Sequence, residues 1–283
     1  MANAKTPPDL SITPRDRRFG RGGAAAARWW ANGDPVATAF FNALSVTFPK
    51  GEAFFIDSVK AHRDGVGAKL AGEIRAFTLQ EVMHSREHVA FNARVIDAGY
   101  DVTRLDARVD EVIAIANSRP QIVRLAATMA LEHYTAILAA MILKAPDLFA
   151  DTDAESRAMW RWHAIEEIEH KGVAYDTWMH ATRDWRPLRR WWVRSLLMLI
   201  ISVKFWAHRI EGTLDLLRQD GITGWRARWR LWRYLLVTPG VLRRIGPDWL
   251  TFFRPGFHPW DHDDRALIGK ADSDYADAVL APA

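Results

Sequence analysis

The stretch HAIEEIEHK, residues 163–171, sets two histidines and three glutamates within eight positions, and the MW and RW pairs before it and GVAY after it read as core. Burying even one unpaired carboxylate costs several kcal/mol. Such a cluster is therefore either solvated or neutralised by something, and a metal ion is a candidate. A helix that is apolar in one direction and ionisable in another also needs neighbours that supply the rest of the compensation.

Those neighbours are helices. From about residue 52 to 180 apolar residues recur at three- and four-residue spacing, and no strand pattern competes. GEAFFIDSVKAHRD suits a helix starting near Lys50, just after Pro49. A long helix runs through QEVMHSREH to a stop at Gly99, followed by LDARVDEVIAIANS, and then by RPQIVRLAATMALEHYTAILAAMILK, which ends before Pro146. The last spans DAESRAMWRWHAIEEIEHKGVAYDTWMH without interruption, with Asp151 or Asp153 as N-cap.

On these helices the ionisable residues align. Glu81 and His84 form Glu-x-x-His and differ by about 60° in direction, so they share a face. Glu167 and His170 repeat the motif, with His163 one turn earlier. The two remaining helices each offer a lone glutamate among apolar residues, Glu52 and Glu132. Two lone glutamates and two Glu-x-x-His pairs on four helices are the ligand arrangement of dinuclear carboxylate bundles. The expected metal set is thus Glu52, Glu81, His84, Glu132, His163, Glu167 and His170, holding two ions, iron first and manganese or zinc as alternatives, with Glu132 and Glu167 as the candidate catalytic groups.

The other charged residues take plainer readings. Glu166 and Glu169 point off the metal-facing line and are expected to be outer partners or solvated. His133 points away from Glu132 and is an outer partner or a packed residue, and Glu73 forms a salt bridge. His88, one turn beyond His84, either touches metal or orients a neighbour. The role of His258 stays open, while His62, His180 and His208 read as surface or interface residues.

FPKGE, QEVMHSREH, HAIEEIEHK and the tail RPGFHPWD together resemble, over nearly the whole chain, a bacterial family usually labelled "predicted metal-dependent hydrolase". Separately, His163, Glu167 and His170 match the His-x-x-x-Glu-x-x-His spacing of di-iron enzymes of the p-aminobenzoate N-oxygenase type. That second resemblance covers the motifs alone. It implies a ferritin-like four-helix core and dioxygen activation, and the third histidine would make one metal richer in nitrogen than the other.

The absence of cysteine excludes thiolate metal sites, disulfides and thiol nucleophiles, so any metal is held by nitrogen and oxygen. Charge divides the chain: residues 1–182 hold 21 Lys/Arg and 23 Asp/Glu, whereas residues 183–254 hold 15 and 5, and nine of the 14 tryptophans follow residue 182. The expected organisation is a flexible segment over 1–34, a metal-binding bundle over 35–182, and a Trp/Arg-rich appendage of amphipathic helices with a tail over 183–283. SLLMLIISV, between Arg194 and Lys204, is too short to span a bilayer, and its Trp and Arg flanks suit a membrane interface, against the plainer reading of a helical layer or homodimer contact. No nucleic-acid motif accompanies the basic zone, and no nucleic-acid partner is expected.

The expected fold is therefore all-α, with additional helices after a four-helix core. The expected function is dioxygen activation at a dinuclear centre, oxidising a lipophilic or aromatic small molecule with help from an electron donor. A hydrolase using the same two metals is the alternative, and a non-enzymatic metal-binding bundle comes third. The polar N-terminus carries no apolar signal segment, so the expected location is cytoplasmic, with peripheral attachment to the inner membrane.

Overall fold

A computed structural model describes residues 6–20 and 27–280; among these the chain forms eleven α-helices, two short 3-10 turns and no strand. The protein is an all-α bundle. Helices α1 (Pro35–Ser45), α2 (Phe48–Lys60), α3 (Ala68–Asp97), α4 (Thr103–Asn117), α5 (Gln121–Lys144), α6 (Ala154–His170) and α7 (Val173–Ala181) precede the Trp-rich zone, which forms α8 (Pro187–Gln219), α9 (Gly224–Leu236) and α10 (Val241–Thr251), followed by α11 (Arg265–Leu280).

Four of these close a ring: α2 packs on α3, α3 on α6, α6 on α5 and α5 back on α2. They are the four helices that carry the predicted ligands. Helix α5 forms much of the core, with Leu125, Met129, Tyr134 and Leu138 buried on different sides of it. It is the one described helix long and apolar enough to cross a membrane, and here its apolar surface is spent on neighbouring helices.

Local chemistry sets the helix ends. Asp153 caps α6, its carboxylate accepting from the Ser156 N–H at 2.8 Å. Helix α3 stops before Gly99, which adopts a left-handed φ of 90°. Helix α1, which the periodicity did not separate, begins at Asp34-Pro35: the Asp34 side chain accepts from Val36 N–H and Pro35 sits in the first turn. It is enclosed all round, with every residue from Val36 to Ser45 buried, the polar Thr38, Asn42 and Ser45 among them.

Three expectations meet a different structure. The single helix expected over 153–180 is two, since α6 ends at His170 and α7 starts at Val173. At the junction a Cβ on Gly172 would lie 2.8 Å from Thr6 Oγ1 and 3.1 Å from Trp260 Nε1, so the chain turns where only hydrogen fits. The N-terminal segment expected to be flexible is, over residues 6–20, laid across α3 and α6 by backbone and side-chain bonds to Glu87, Glu166 and Glu169; residues 1–5 and 21–26 lie outside the described residues. The compositional seam at residue 183 is no break in packing, because α8 lies along α1 and α5, α10 lies on α5, and Met198, Leu216, Tyr234 and Phe252 belong to the same buried core as Phe41 and Trp160.

Candidate metal centre

The ring of helices brings all seven predicted ligands together. Glu52 (α2), Glu81 and His84 (α3), Glu132 (α5) and His163, Glu167 and His170 (α6) are each less than 5% exposed. Their donor atoms form overlapping groups in which every atom lies within 4.8 Å of the others: Glu81, Glu132 and His170 in one, His84, His163 and Glu167 in another, and Glu52, Glu81 and His84 in a third.

Glu167 joins two of these groups. Its Oε1 is 2.7 Å from His163 Nε2 and 3.5 Å from His84 Nδ1, whereas its Oε2 is 3.5 Å from His170 Nε2. Glu81 also faces both ways, with Oε1 3.1 Å from His170 Nε2 and a place in the group containing His84. Glu167 and Glu81 therefore lie between two sets of donors that could each hold a cation. One has Glu132 and His170 as further donors, the other Glu52, His84 and His163. The second is richer in nitrogen.

Eight buried atoms of these residues make no hydrogen bond: Glu52 Oε1, both oxygens of Glu81 and of Glu132, Glu167 Oε2, His84 Nδ1 and His170 Nε2. Buried polar atoms are normally satisfied, so so many unsatisfied donors-to-metal pointing at one another require an explanation. A pair of cations supplies one. Two divalent ions would balance the four carboxylates charge for charge, and an all-nitrogen-and-oxygen set suits iron, manganese or zinc.

The electrostatics agree. Burial first, and the neighbouring glutamates second, hold the Glu81 carboxyl well above the usual range, and burial does the same to Glu52. Burial pushes Glu132 up to about 8. Burial also opposes ionisation of Glu167, but His170 and His163 outweigh it and hold that carboxylate well below its usual range. Only one carboxylate in four is compensated from within, which is the deficit that bound cations would fill.

Outer residues aim the ligands. His84 Nε2 lies 2.9 Å from Glu166 Oε2, so its N–H there donates to the carboxylate and Nδ1 is left to face the centre. His170 Nδ1 lies 2.9 Å from Gln80 Oε1, which leaves Nε2 free, and Ser85 Oγ donates to Glu52 Oε2 at 2.7 Å. Gln80 in turn donates to Glu169, and Arg15 pairs with Glu169 at 2.8 Å while its backbone N–H donates to Glu166. Glu166 and Glu169 are thus outer partners, and buried ones: of the two expected alternatives, the solvated one does not apply.

His88 sits behind His163, with Nε2 2.6 Å from His163 Nδ1 and Nδ1 2.8 Å from Ser45 Oγ. It also lies within a group with Glu52 and His163, but both its nitrogens are already engaged, which makes it a positioning residue. His133 is packed against Phe252 and Phe257 and faces the Asp248 carbonyl, and burial lowers it to about 3. His258 caps the turn at Pro259–Asp261 and pairs with Asp176, away from the centre. Glu73 pairs with Lys69.

Sequence reasoning missed Arg15, Ser45, Gln80, Ser85 and Asn92. Ser85 and Gln80 flank the α3 ligands on neighbouring faces and carried a weak local signal. Arg15 carried none, because its partner lies 154 positions away.

Aromatic rings enclose the centre: Phe48 lies 4.6 Å from the His163 ring, Phe77 4.9 Å from His170 and Trp162 5.0 Å from His84. Such a wall keeps the local dielectric low and strengthens every charge interaction within it.

No curated protein and no solved structure matches the chain. The sequence pattern of one family, described as "Predicted metal-dependent hydrolase", matches residues 13–263, from the N-terminal strap to the segment beyond α10, and the chain belongs to that family.

Proposed function

We propose that the protein is an enzyme working through two metal ions held by Glu52, Glu81, His84, Glu132, His163, Glu167 and His170, and that its reaction is hydrolysis of a small, largely apolar substrate. The observation that carries the metal pair is the set of eight buried, unbonded donor atoms converging from four helices. The family description favours hydrolysis over the oxygen chemistry suggested by the ligand spacing. The rings of Phe48, Phe77 and Trp162 favour an apolar substrate.

When bound, divalent ions supply Lewis acidity, polarising a substrate oxygen and lowering the pKa of water. The chain's residues do the remainder. Glu132 has neither oxygen hydrogen-bonded, so one can accept the proton that water loses on attacking the scissile carbon and return it to the leaving group. Glu167, held between His163 and His170, keeps its charge and fixes the spacing of the two halves of the site. The aromatic wall excludes bulk water.

A second reading is favoured by the third histidine: His163 gives α6 the His-x-x-x-Glu-x-x-His spacing of di-iron enzymes. On that reading the same ligands serve dioxygen activation on a lipophilic or aromatic compound, with an external electron donor, and the core is ferritin-like. The deciding experiment measures metal content and then turnover of ester and amide substrates under strict anaerobiosis, beside oxygen uptake by the reduced protein. Anaerobic turnover lost in Glu132→Ala supports the hydrolase. Stoichiometric oxygen uptake without any anaerobic turnover replaces it with the oxidase.

A further inference from the structure

Helix α9 carries two apolar faces, and only one of them has a partner. Ala227, Leu231, Tyr234 and Leu235 are buried against the bundle. Trp225, Trp229, Trp232 and Leu236 recur at the same helical spacing, centred roughly 145° away from the first face, and are between 46% and 73% exposed. Arg226, Arg228, Arg230 and Arg233 flank that second stripe on both sides, all exposed and with no acidic residue in the helix. A surface helix of a soluble protein turns its polar side outward; α9 turns indoles outward and places arginines beside them.

Helix α8 repeats the arrangement. Leu188, Trp192, Leu196, Leu199, Ile200 and Val203 form one exposed stripe along its first half, with Trp192 60% and Val203 70% open. Arg194 and Met198 point inward and anchor the helix to the bundle, Arg194 donating to the Arg254 carbonyl at 2.7 Å. Helices α8 and α9 also pack against each other.

We propose that α8 and α9 seat the protein on an anionic lipid bilayer, lying at headgroup depth without crossing it. Three observations select this occupant. Residues 183–254 hold 15 Lys/Arg against 5 Asp/Glu, which complements anionic headgroups. Tryptophan and arginine are the side chains that suit the interface, the indole by its amphipathic ring and arginine by snorkelling. A second copy of the chain docked face to face through α9 would set four arginines against four, so the charge pattern disfavours it. Spanning is not required, because α5, the one described helix apolar enough to cross, is used in the core.

The test mixes the full-length protein with phosphatidylcholine vesicles with and without about 30% phosphatidylglycerol and measures co-sedimentation. Binding should require the anionic lipid and fall roughly ten-fold between about 0.1 and 0.5 M salt. Replacing Trp225, Trp229 and Trp232 together with Ser should weaken it roughly ten-fold or more, with metal content unchanged. Replacing Arg226, Arg228, Arg230 and Arg233 with Gln should remove the preference for anionic lipid. Quenching of the parent protein's tryptophan fluorescence by lipids brominated near the headgroup reads the same contact without any variant. A parent protein that ignores both vesicles, or a dimer that the Trp→Ser substitutions dissociate, overturns the proposal; so does unweakened vesicle binding by the triple variant.

Discussion

His88 Nε2 faces His163 Nδ1 at 2.6 Å, and the proton between them belongs to His163. Ser45 Oγ donates to Asn92 Oδ1 at 2.7 Å and must therefore accept from His88 Nδ1–H. Burial keeps His88 neutral, so its Nε2 carries a lone pair and accepts from His163 Nδ1–H. The Nε2 of His163, 2.7 Å from Glu167 Oε1, is then the nitrogen left for the centre, donating to that carboxylate where no cation takes the place of its proton. A three-residue relay from α1 and α3 thus sets the tautomer of a ligand on α6.

His88→Ala removes the acceptor while leaving His163 in place. Metal should still bind at two equivalents per chain, with affinity lowered about 10- to 100-fold. His163→Ala should reduce the stoichiometry itself. Competition titration with a chelator separates the two outcomes, and loss of a full equivalent in His88→Ala would make His88 a ligand.

The unsatisfied oxygens of Glu81 and Glu132 give opposite signs for the metal-free and loaded protein. Removing a buried, uncompensated carboxylate relieves a desolvation cost, so Glu81→Leu and Glu132→Leu should stabilise the chelator-treated protein by about 1–4 kcal/mol. The same variants should lose the stabilisation that metal confers, about 4 kcal/mol at a thousand-fold excess over Kd. Denaturant melts with and without chelator measure both. Destabilisation of the metal-free form by either substitution would mean that these oxygens have partners.

Arg15 is the one described cation paired with Glu169, and its backbone N–H also reaches Glu166, which holds His84. Arg15→Ala leaves Glu169 with the N–H groups of Thr13 and Gln80 alone. The expected cost is about 1.5–3 kcal/mol of stability, the range for hydrogen bonds to a charged group, with a several-fold loss of metal affinity. Arg15→Lys should recover part of the first. Equal metal affinity in Arg15→Ala and the parent would detach the strap from the centre.

The convergence of the candidate ligands was legible because much of it is local. Glu81 with His84, and His163 with Glu167 and His170, declare their shared faces through three- and four-residue spacing alone. Glu52 and Glu132 were legible as charges that no apolar helix face should carry without compensation. What sequence could not give was the support of those ligands. Arg15, Ser45 and Asn92 act across the fold, on short polar groups that occur everywhere in helices and loops. Helix α1 hid for a related reason: its polar residues, Thr38, Asn42 and Ser45, are buried with the rest, so no charged, solvent-facing stripe sets its period. The break between α6 and α7 escaped because both junction residues keep right-handed helical backbone, and Thr6 and Trp260, which leave room there for no side chain, lie far away in the chain.

That junction yields the last prediction. As the N-cap of α7, where alanine is no better than glycine, Gly172 has φ −88° and ψ −19°, a conformation open to alanine. Against this, its Cβ would come 2.8 Å from Thr6 Oγ1 and 3.1 Å from Trp260 Nε1, and overpacking of this kind costs about 1–3 kcal/mol. With no gain at the N-cap to offset it, this steric cost sets the outcome, so Gly172→Ala is expected to destabilise by about 1–3 kcal/mol, measured by denaturant melts. Thr6→Ala alone should also destabilise, because Thr6 Oγ1 donates to Asp176 Oδ2 at 2.6 Å. Combined with Gly172→Ala it removes the closest clash, so the double variant should be more stable than the two single effects add up to. Strict additivity would mean that the added Cβ and Thr6 do not meet.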